Sequence, residues 1–436
     1  MRSRKLLTAR RRLRRIVPAV MAGVVLALSI GACDSLLNVG SPSRIPADPL
    51  ETPANADLLA HGAIADFDCA YGAFVHMGGM MTDELEDATL TAARWVYDQR
   101  AIRTSDAYGL NGCQDSPPGT YSPLQTARES ADNVLRLLQG WTDAEVPDRG
   151  ELIGEMATYA GYTRVLLGEM FCSSVISSID AGGNITYGTE LTPQQMFQSA
   201  DSLFTLAIGT AGINDSVQTL AYLGRARSER DQGLLAQAAA DAGQVPADFI
   251  YRSTSSTATP RRQNLLYEES NTQSVASAVG PRYQAMNDPR VKFQDLGSAS
   301  NSHVEYVAQL KYPTASDPIP IGRYAEAQAI IAEADIAAGQ IPQAVTIIDQ
   351  FRARGGQGNY AGPMDSASVM NELLDQRSRE FYLEGQRLED VRLYNIQLLP
   401  ATGSPYRNGG FYGPSGNQLC LPLPDAERQG NPNLNH

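Results

Sequence analysis

The chain has 436 residues, with 35 basic and 48 acidic side chains and a formal net charge of −13. All eight basic residues among the first 32 precede the first acidic residue, Asp34, so the rest of the chain holds 27 basic and 48 acidic residues. This acidic balance argues against binding to nucleic acid or electrostatic attraction to anionic lipid. The length allows one large domain or two.

The N-terminus has the three parts of an export signal. Basic residues up to Arg15 precede an apolar run from Ile16 to Ile30, and the small residues Gly31 and Ala32 then lead to Cys33. The apolar run is shorter than the about 20 residues of a membrane-spanning helix. The ending resembles the bacterial lipobox, so we predict a signal peptide at 1–32 and lipid, including palmitate, on Cys33. An uncleaved anchor helix or an ordinary signal with a chance cysteine are the alternatives.

The residues after Cys33 are rich in Ser, Pro, Asn and Gly, which predicts a flexible tether over 33–55 and a folded body over 56–436. The body holds four cysteines: Cys69, Cys113, Cys172 and Cys420. In an oxidising compartment they can form two disulfides in three possible connectivities, or some can remain buried thiols. Their spacing matches no zinc site.

Helical periodicity dominates the first half of the body. The predicted helices cover about 124–141, 149–172, 193–209 and 216–239. Gly154, Gly161 and Gly168 interrupt the second helix, where each glycine costs about 1 kcal/mol relative to alanine. We therefore predict that they mark close helix–helix contacts. Thr192 and Gln195 predict a capping box at the start of the third helix.

Loop-rich stretches alternate with these helices, at about 75–123, 245–320 and 395–436. Long irregular segments within a folded chain often carry function. Helical hairpins therefore occupy two regions, about 124–240 and 321–394, and the second ends with a long predicted helix at about 366–394.

A row of charges lies on that long predicted helix. Glu380, Glu384 and Arg387 are spaced i, i+4, i+7, and Asp390 follows Arg387 at i+3, so the row would share one helix face. Apolar neighbours indicate a partly buried ionic network rather than a solvated ladder. Its predicted role is to hold the long helix to the C-terminal loops, as scaffold rather than as ligand contact.

Several motifs in order resemble the SusD/RagB family of nutrient-binding outer-membrane lipoproteins. They include Asn287–Arg290, Arg323–Glu326, Arg377–Phe381, Glu384–Arg387, Asp390–Arg392 and Asn431–Leu434. The resemblance implies a mostly α, SusD-like fold with tetratricopeptide-type helical hairpins, few short strands and a loop-rich ligand-binding portion. Its motif residues here are Arg323, Glu326, Glu380, Glu384, Arg387 and Asp390. It also implies a partner, a SusC-like TonB-dependent outer-membrane barrel to which the ligand is delivered.

No catalytic motif was found: the four histidines fit no metal-ligand spacing, and nucleotide or calcium loops are missing from the sequence. We therefore predict a non-catalytic binding protein without cofactor or metal, lipid-anchored in the outer membrane and facing the cell surface. The ligand is an oligosaccharide or, as an alternative, a peptide. A surface glycan or peptide hydrolase and a tetratricopeptide-type protein-binding adaptor are the competing functions.

Aromatic residues in the loop-rich stretches are the candidate ligand contacts, because aromatic faces grip sugars. They are Trp95, Tyr97, Tyr108, Tyr283, Tyr306 and Tyr312. Trp95 is the strongest of them, and core packing is the alternative for each. Tyr406, Phe411 and Tyr412 form a second candidate cluster, whereas Trp141 fits the apolar pattern of a helix and is assigned to the core.

Overall fold

A computed structural model describes residues 50–180, 184–272, 276–298 and 305–434. The predicted signal peptide at 1–32, the predicted lipidation site Cys33 and the tether up to residue 49 lie outside the described residues. The body that begins at Glu51 is mostly helical, with few short strands, as predicted. Among the described residues no helix is both long and apolar enough to cross a membrane.

The helices and strands are numbered in chain order. The helices are α1 (Ala56–Met81), α2 (Trp95–Asp98), α3 (Tyr121–Gly140), α4 (Arg149–Met170), α5 (Pro193–Gly209), α6 (Asp215–Asp231), α7 (Leu235–Ala242), α8 (Leu265–Ser270), α9 (Pro281–Gln284), α10 (Tyr324–Ala337), α11 (Ile341–Arg354), α12 (Ser366–Glu380), α13 (Arg387–Leu393) and α14 (Asp425–Gly430). The strands are β1 (Leu85–Asp87), β2 (Ser174–Val175), β3 (Ser178–Ile179), β4 (Ile185–Thr186), β5 (Glu190–Leu191), β6 (Ile250–Arg252), β7 (Ser277–Val279), β8 (Phe293–Ser298), β9 (Glu305–Gln309) and β10 (Pro320–Arg323). The strands form antiparallel pairs: β1 with β7, β2 with β5, β3 with β4, β6 with β10 and β8 with β9.

Helices that are neighbours in the chain pack as hairpins. The series runs from α3 through α4, α5 and α6 to α7, which then packs against α10. Helix α10 in turn packs against α11 and α12, and α1 lies against α3 and α4. The two hairpin regions predicted from periodicity therefore join into one helical frame.

Glycines on α4 mark close helix contacts, as predicted. A Cβ at Gly161 would lie 2.7 Å from Phe204 Cε1, and one at Gly168 would lie 2.5 Å from Phe197 Cε1, both on α5. Only hydrogen fits in these positions, so the aromatic rings of α5 seat directly against the backbone of α4. The predicted capping box of α5 is also present, with Thr192 and Gln195 satisfying each other's backbone N–H groups.

The prediction of one long helix at 366–394 is wrong, because the structure divides this segment into the two helices α12 and α13. Helix α12 ends at Glu380, and Leu383 (φ 53°) and Gly385 (φ 78°) take left-handed conformations before α13 begins. A helix cannot continue through such residues. The helix predicted at 216–239 is divided in the same way between α6 and α7, at Gly233 (φ 76°).

The loop-rich stretches are also shorter than predicted. The stretch assigned to 75–123 begins within α1, which continues to Met81, and ends within α3, which begins at Tyr121. The C-terminal stretch from 395 onward contains the short helix α14.

Two disulfides select one of the three connectivities that the sequence left open. Cys69 on α1 pairs with Cys113, which fixes the loop before α3 to the frame. Cys172 pairs with Cys420, 248 residues later, and a β-bridge joins the neighbouring residues Phe171 and Leu421. The C-terminal loop is therefore attached to the end of α4.

Candidate functional site

The predicted charged row forms a buried ionic network around Arg323. Its guanidinium lies 2.8 Å from Glu380 Oε1 and 2.9 Å from Glu384 Oε2, while Lys311 Nζ lies 2.6 Å from Glu384 Oε1. Burial alone would raise the pKa of both carboxyl groups, but the charge and hydrogen bonds of Arg323 hold each pKa below its ordinary value.

The prediction that these charged residues share one helix face is wrong, because helix α12 ends at Glu380. Glu380 and Glu384 instead meet at Arg323, the last residue of β10. Arg387 turns away to Asp83, with Nη2 2.8 Å from Asp83 Oδ2. The turn after α12 thus lets consecutive charges reach different partners.

The other motif residues also contact the helical frame rather than the C-terminal loops, which corrects the predicted role of the network. Asp390 Oδ1 lies 2.5 Å from Arg230 Nη2 on α6, and Asp390 Oδ2 lies 2.9 Å from Arg377 Nε on α12. Glu326 is buried 3.7 Å from Arg227, and its burial raises its pKa to about 7. These residues connect α6, α10, α12 and α13.

Four of the six candidate aromatics lie in the interior. Tyr97, Tyr108, Tyr283 and Tyr312 expose at most 3% of their surface. The Tyr108 hydroxyl donates to Pro422 O at 2.7 Å, and that of Tyr312 donates to Leu383 O at 3.0 Å. All four rings pack in the core, and the hydroxyls of Tyr108 and Tyr312 bind loop backbone, so these residues offer no face to a ligand in this structure.

The remaining two candidates are half-buried and lie in different places. Tyr306 packs against a small cluster of Ala88 and Ala278. Trp95 is the first residue of α2 and the only one of that helix that is not buried, because Val96, Tyr97 and Asp98 face inward. Trp141, assigned to the core, is half-buried against the main cluster.

Trp95 lies beside the second aromatic cluster predicted from the sequence. Its ring centroid is 4.7 Å from that of Tyr412, and the Tyr412 and Phe411 centroids are 5.1 Å apart. Phe411 is 81% exposed. We call Trp95, Phe411 and Tyr412 the aromatic patch. Residues that are more than 300 positions apart in the chain therefore present one surface of aromatic rings.

Gln99 fixes the C-terminal loop on this surface. Its Nε2 donates to Tyr412 O at 2.8 Å and to Pro414 O at 2.9 Å, and its own carbonyl accepts from Gly416 N at 2.8 Å. Three hydrogen bonds from one residue hold the loop against α2. The buried side chain of Gln99, which is 6% exposed, thus holds the loop that carries Phe411 and Tyr412 of the aromatic patch.

A cleft of about 860 Å³ is lined by residues of β1, α9, α12 and the C-terminal loop. Its walls are mostly aliphatic and include Leu85, Leu374, Ile396 and Leu399. Leu399 is 80% exposed at the rim. The size and apolar lining are typical of a small-molecule site.

One end of the cleft is carboxylate-rich. Arg407 Nη2 lies 2.7 Å from Asp98 Oδ2 and 3.2 Å from Glu86 Oε2, and the Tyr406 hydroxyl donates to Asp98 Oδ2 at 2.9 Å. Burial raises the pKa of Glu86 to about 7, although Arg407 opposes that shift. At the other end Arg282 lies 3.3 Å from Asp83 and also 3.3 Å from Asp375.

Glu86, Asp98 and Arg407 were not predicted from the sequence, because isolated charges in loop-rich segments form no motif. Among the described residues no group of His, Cys, Asp and Glu side chains is arranged to hold a metal ion.

Comparison with known proteins identifies the fold of the chain and a family match for its C-terminal part. No curated protein matches the chain. A SusD superfamily protein from Bacteroides vulgatus is similar with a TM-score of 0.68 at 14% identity, covering 88% of this chain and 98% of that one. A SusD-like carbohydrate binding protein from the same organism has a TM-score of 0.65 at 13% identity, covering 88% and 97%. A SusD superfamily protein from Parabacteroides distasonis has a TM-score of 0.66 at 13% identity, covering 86% and 98%.

The model of the SusD family matches residues 250–436, which contain the ionic motif residues and the C-terminal half of the aromatic patch. The chain therefore has the fold of solved SusD superfamily structures, and its residues 250–436 match the SusD family.

Proposed function

We propose that the protein is a non-catalytic binding protein that captures an oligosaccharide at the aromatic patch. The observation that carries this proposal is the meeting of Trp95 with Tyr412 and the 81% exposed Phe411. Sugar rings stack on aromatic faces, and an exposed group of aromatics on a rigid support is typical of a binding surface. The similarity to a SusD-like carbohydrate binding protein supports the choice of ligand.

We further propose that Cys33 carries the lipid that attaches the protein to the outer membrane, and that the bound ligand passes to a SusC-like TonB-dependent barrel. The signal and lipobox residues, together with the match of residues 250–436 to the SusD family, support this proposal. Solubilised membranes should yield such a barrel together with the wild-type protein. Purifications that repeatedly recover the protein without any barrel would contradict the partner assignment.

The variant Trp95→Ala of the purified protein tests the aromatic patch. Loss of a stacked aromatic contact should weaken glycan binding by about 1–3 kcal/mol. Binding can be followed by calorimetry against a panel of oligosaccharides, with peptides as the second class. Tyr187→Ala is the matched control, because Tyr187 is an exposed aromatic (36%) that lies outside the patch. Equal affinities of the wild type and Trp95→Ala would remove the patch from the proposal.

A further inference from the structure

The cleft is distinct from the aromatic patch, and its carboxylate-rich end has unbalanced charge. Glu86 on β1 accepts a hydrogen bond from Arg407 at Oε2, and no described residue bonds its Oε1. The Glu86 side chain is 14% exposed, and that exposed part lines the cleft. This oxygen is therefore available to a ligand group.

The surroundings of Glu86 leave one negative charge in excess. The charged groups that act on Glu86 itself are Arg407 of the C-terminal loop, Asp98 of α2 and Asp87 on the same strand. Arg100 after α2 and Tyr406 of the C-terminal loop act in turn on Asp98. Strand β7, which pairs with β1, contributes only Ser277–Val279 and therefore no charge. Three carboxylates thus face two guanidinium groups.

Both guanidinium groups already have acceptors. Arg407 donates to Glu86 Oε2 and lies 2.7 Å from Asp98 Oδ2, and Arg100 donates through Nη2 to the backbone oxygen of Pro400 while its Nη1 is buried without a partner among the described residues. Asp98 Oδ2 also accepts the backbone N–H of Asp87 at 3.0 Å, which fixes the cluster in place. A cation from outside the protein is the simplest complement to the remaining charge.

The rest of the cleft determines what kind of cation fits. Leu85, Leu374 and Ile396 give aliphatic walls, and the cleft's volume of about 860 Å³ exceeds what a bare ion needs. A hydrated metal ion would leave this apolar surface exposed to water. An organic cation with an aliphatic body would instead bury it, at about 25 cal/mol per Å².

We propose that the cleft binds a ligand group in which a protonated amine is carried on an aliphatic body, with the amine beside Glu86 and the aliphatic part against Leu374 and Leu399. Peptide amino ends, lysine-like side chains and simple aliphatic amines share this chemistry. The site is independent of glycan binding at the aromatic patch.

The test titrates n-hexylammonium and its neutral counterpart n-hexanol into the purified protein, and binding is followed by NMR or calorimetry. An alkylamine remains protonated throughout, since its pKa is close to that of lysine, about 10.4. Because burial raises the pKa of Glu86 to about 7, this carboxyl group is mostly neutral at pH 5.5 and mostly ionised at pH 8. We expect hexylammonium to bind about tenfold more tightly at pH 8, with proton release on binding at pH 6.5, and hexanol to show no pH dependence.

The variant Glu86→Gln keeps the shape of the protonated side chain and so should fold. It should remove the pH dependence and weaken hexylammonium binding at pH 8 to the level seen at pH 5.5. Glu190→Gln is the control, because Glu190 on β5 lies outside the cleft. Trileucine and N-acetyl-trileucine, compared at pH 7, distinguish a peptide amino end from a simple amine.

The proposal is overturned if hexanol binds as tightly as hexylammonium, if neither binds, or if Glu86→Gln retains the wild-type pH dependence. These results are separable from the aromatic patch, since Trp95→Ala should leave hexylammonium binding unchanged.

Discussion

Arg323 and Arg407 each lie between two carboxylates, but their surroundings differ. Arg323 bridges Glu380 and Glu384, and each of these has a further cation: Arg290 lies 3.0 Å from Glu380, and Lys311 lies 2.6 Å from Glu384. Arg407 bridges Glu86 and Asp98 at the wall of an open cleft.

The pKa values of the carboxyl groups reflect this difference. Glu380 and Glu384 have lowered pKa values, because their cations outweigh the effect of burial, whereas burial dominates at Glu86 and raises its pKa to about 7. Arginine–carboxylate pairs therefore have two roles in this protein. Around Arg323 each carboxylate has enough cations to balance its charge, and the pairs hold the helices together. Around Arg407 the carboxylates are not fully balanced, and we propose that the remaining charge is available to a ligand.

The largest expected effect is that of Arg323→Met, which keeps the volume of the side chain but removes its charge. Glu380 and Glu384 would lose their shared partner while remaining buried, and removal of one side of a buried ion pair costs about 3–5 kcal/mol. Urea denaturation should show this loss in the free energy of unfolding. Each carboxyl group keeps a second cation in the variant, Arg290 beside Glu380 and Lys311 beside Glu384, so both should stay ionised and the loss should be the same at pH 6 and pH 8.

Arg103→Met is the matched control for that change. Arg103 also pairs with a carboxylate, Asp106, at 3.1 Å, but its side chain is 68% exposed. An exposed pair contributes about 0–1 kcal/mol, so this variant should unfold almost as the wild type does. Equal losses for the two variants would show that the network around Arg323 is not a structural frame.

The helical part of the fold could be predicted because its signals are local. The periodicity predicted the bounds of α3, α4 and α5 to within a few residues, and the glycines within α4 correctly indicated where another helix packs closely against it. The division of α12 from α13 was missed, since it depends on tertiary packing: a Cβ at Gly385 would lie 2.7 Å from Phe74 Cε1 on α1. Local sequence does not reveal which distant ring will occupy that space.

The site was only partly predictable for a similar reason. Trp95 and the cluster containing Phe411 and Tyr412 were both identified, but as separate candidates, because nothing local indicates that α2 meets the C-terminal loop. Burial explains the failure of the other aromatics. Tyr108 and Tyr283 lie in loop-rich segments that pack against the frame, so a position in a loop did not imply exposure.

The smallest expected effect, and the sharpest test of the comparison, is that of Arg407→Met. Its loss in the free energy of unfolding should depend on pH, unlike that of Arg323→Met. The folded-state pKa of Glu86 is raised from 4.5 to about 7, so the stability this group contributes is fully present below about pH 4.5 and is lost as the pH rises through about 7. Without Arg407 this pKa rises further, and the loss extends to higher pH.

At pH 6 Glu86 is mostly protonated, so only Asp98 loses a charge partner, and Asp98 keeps its hydrogen bonds from Tyr406 and the Asp87 backbone. We expect a loss of about 1 kcal/mol there and about 2–3 kcal/mol at pH 8, where Glu86 would also have to be ionised. The double variant Glu86→Gln with Arg407→Met should remove the difference between the two pH values. A loss that is constant from pH 6 to pH 8 would mean that the charge of Glu86 is balanced as fully as that of Glu384. The proposed difference between the network around Arg323 and the carboxylates of the cleft would then be wrong.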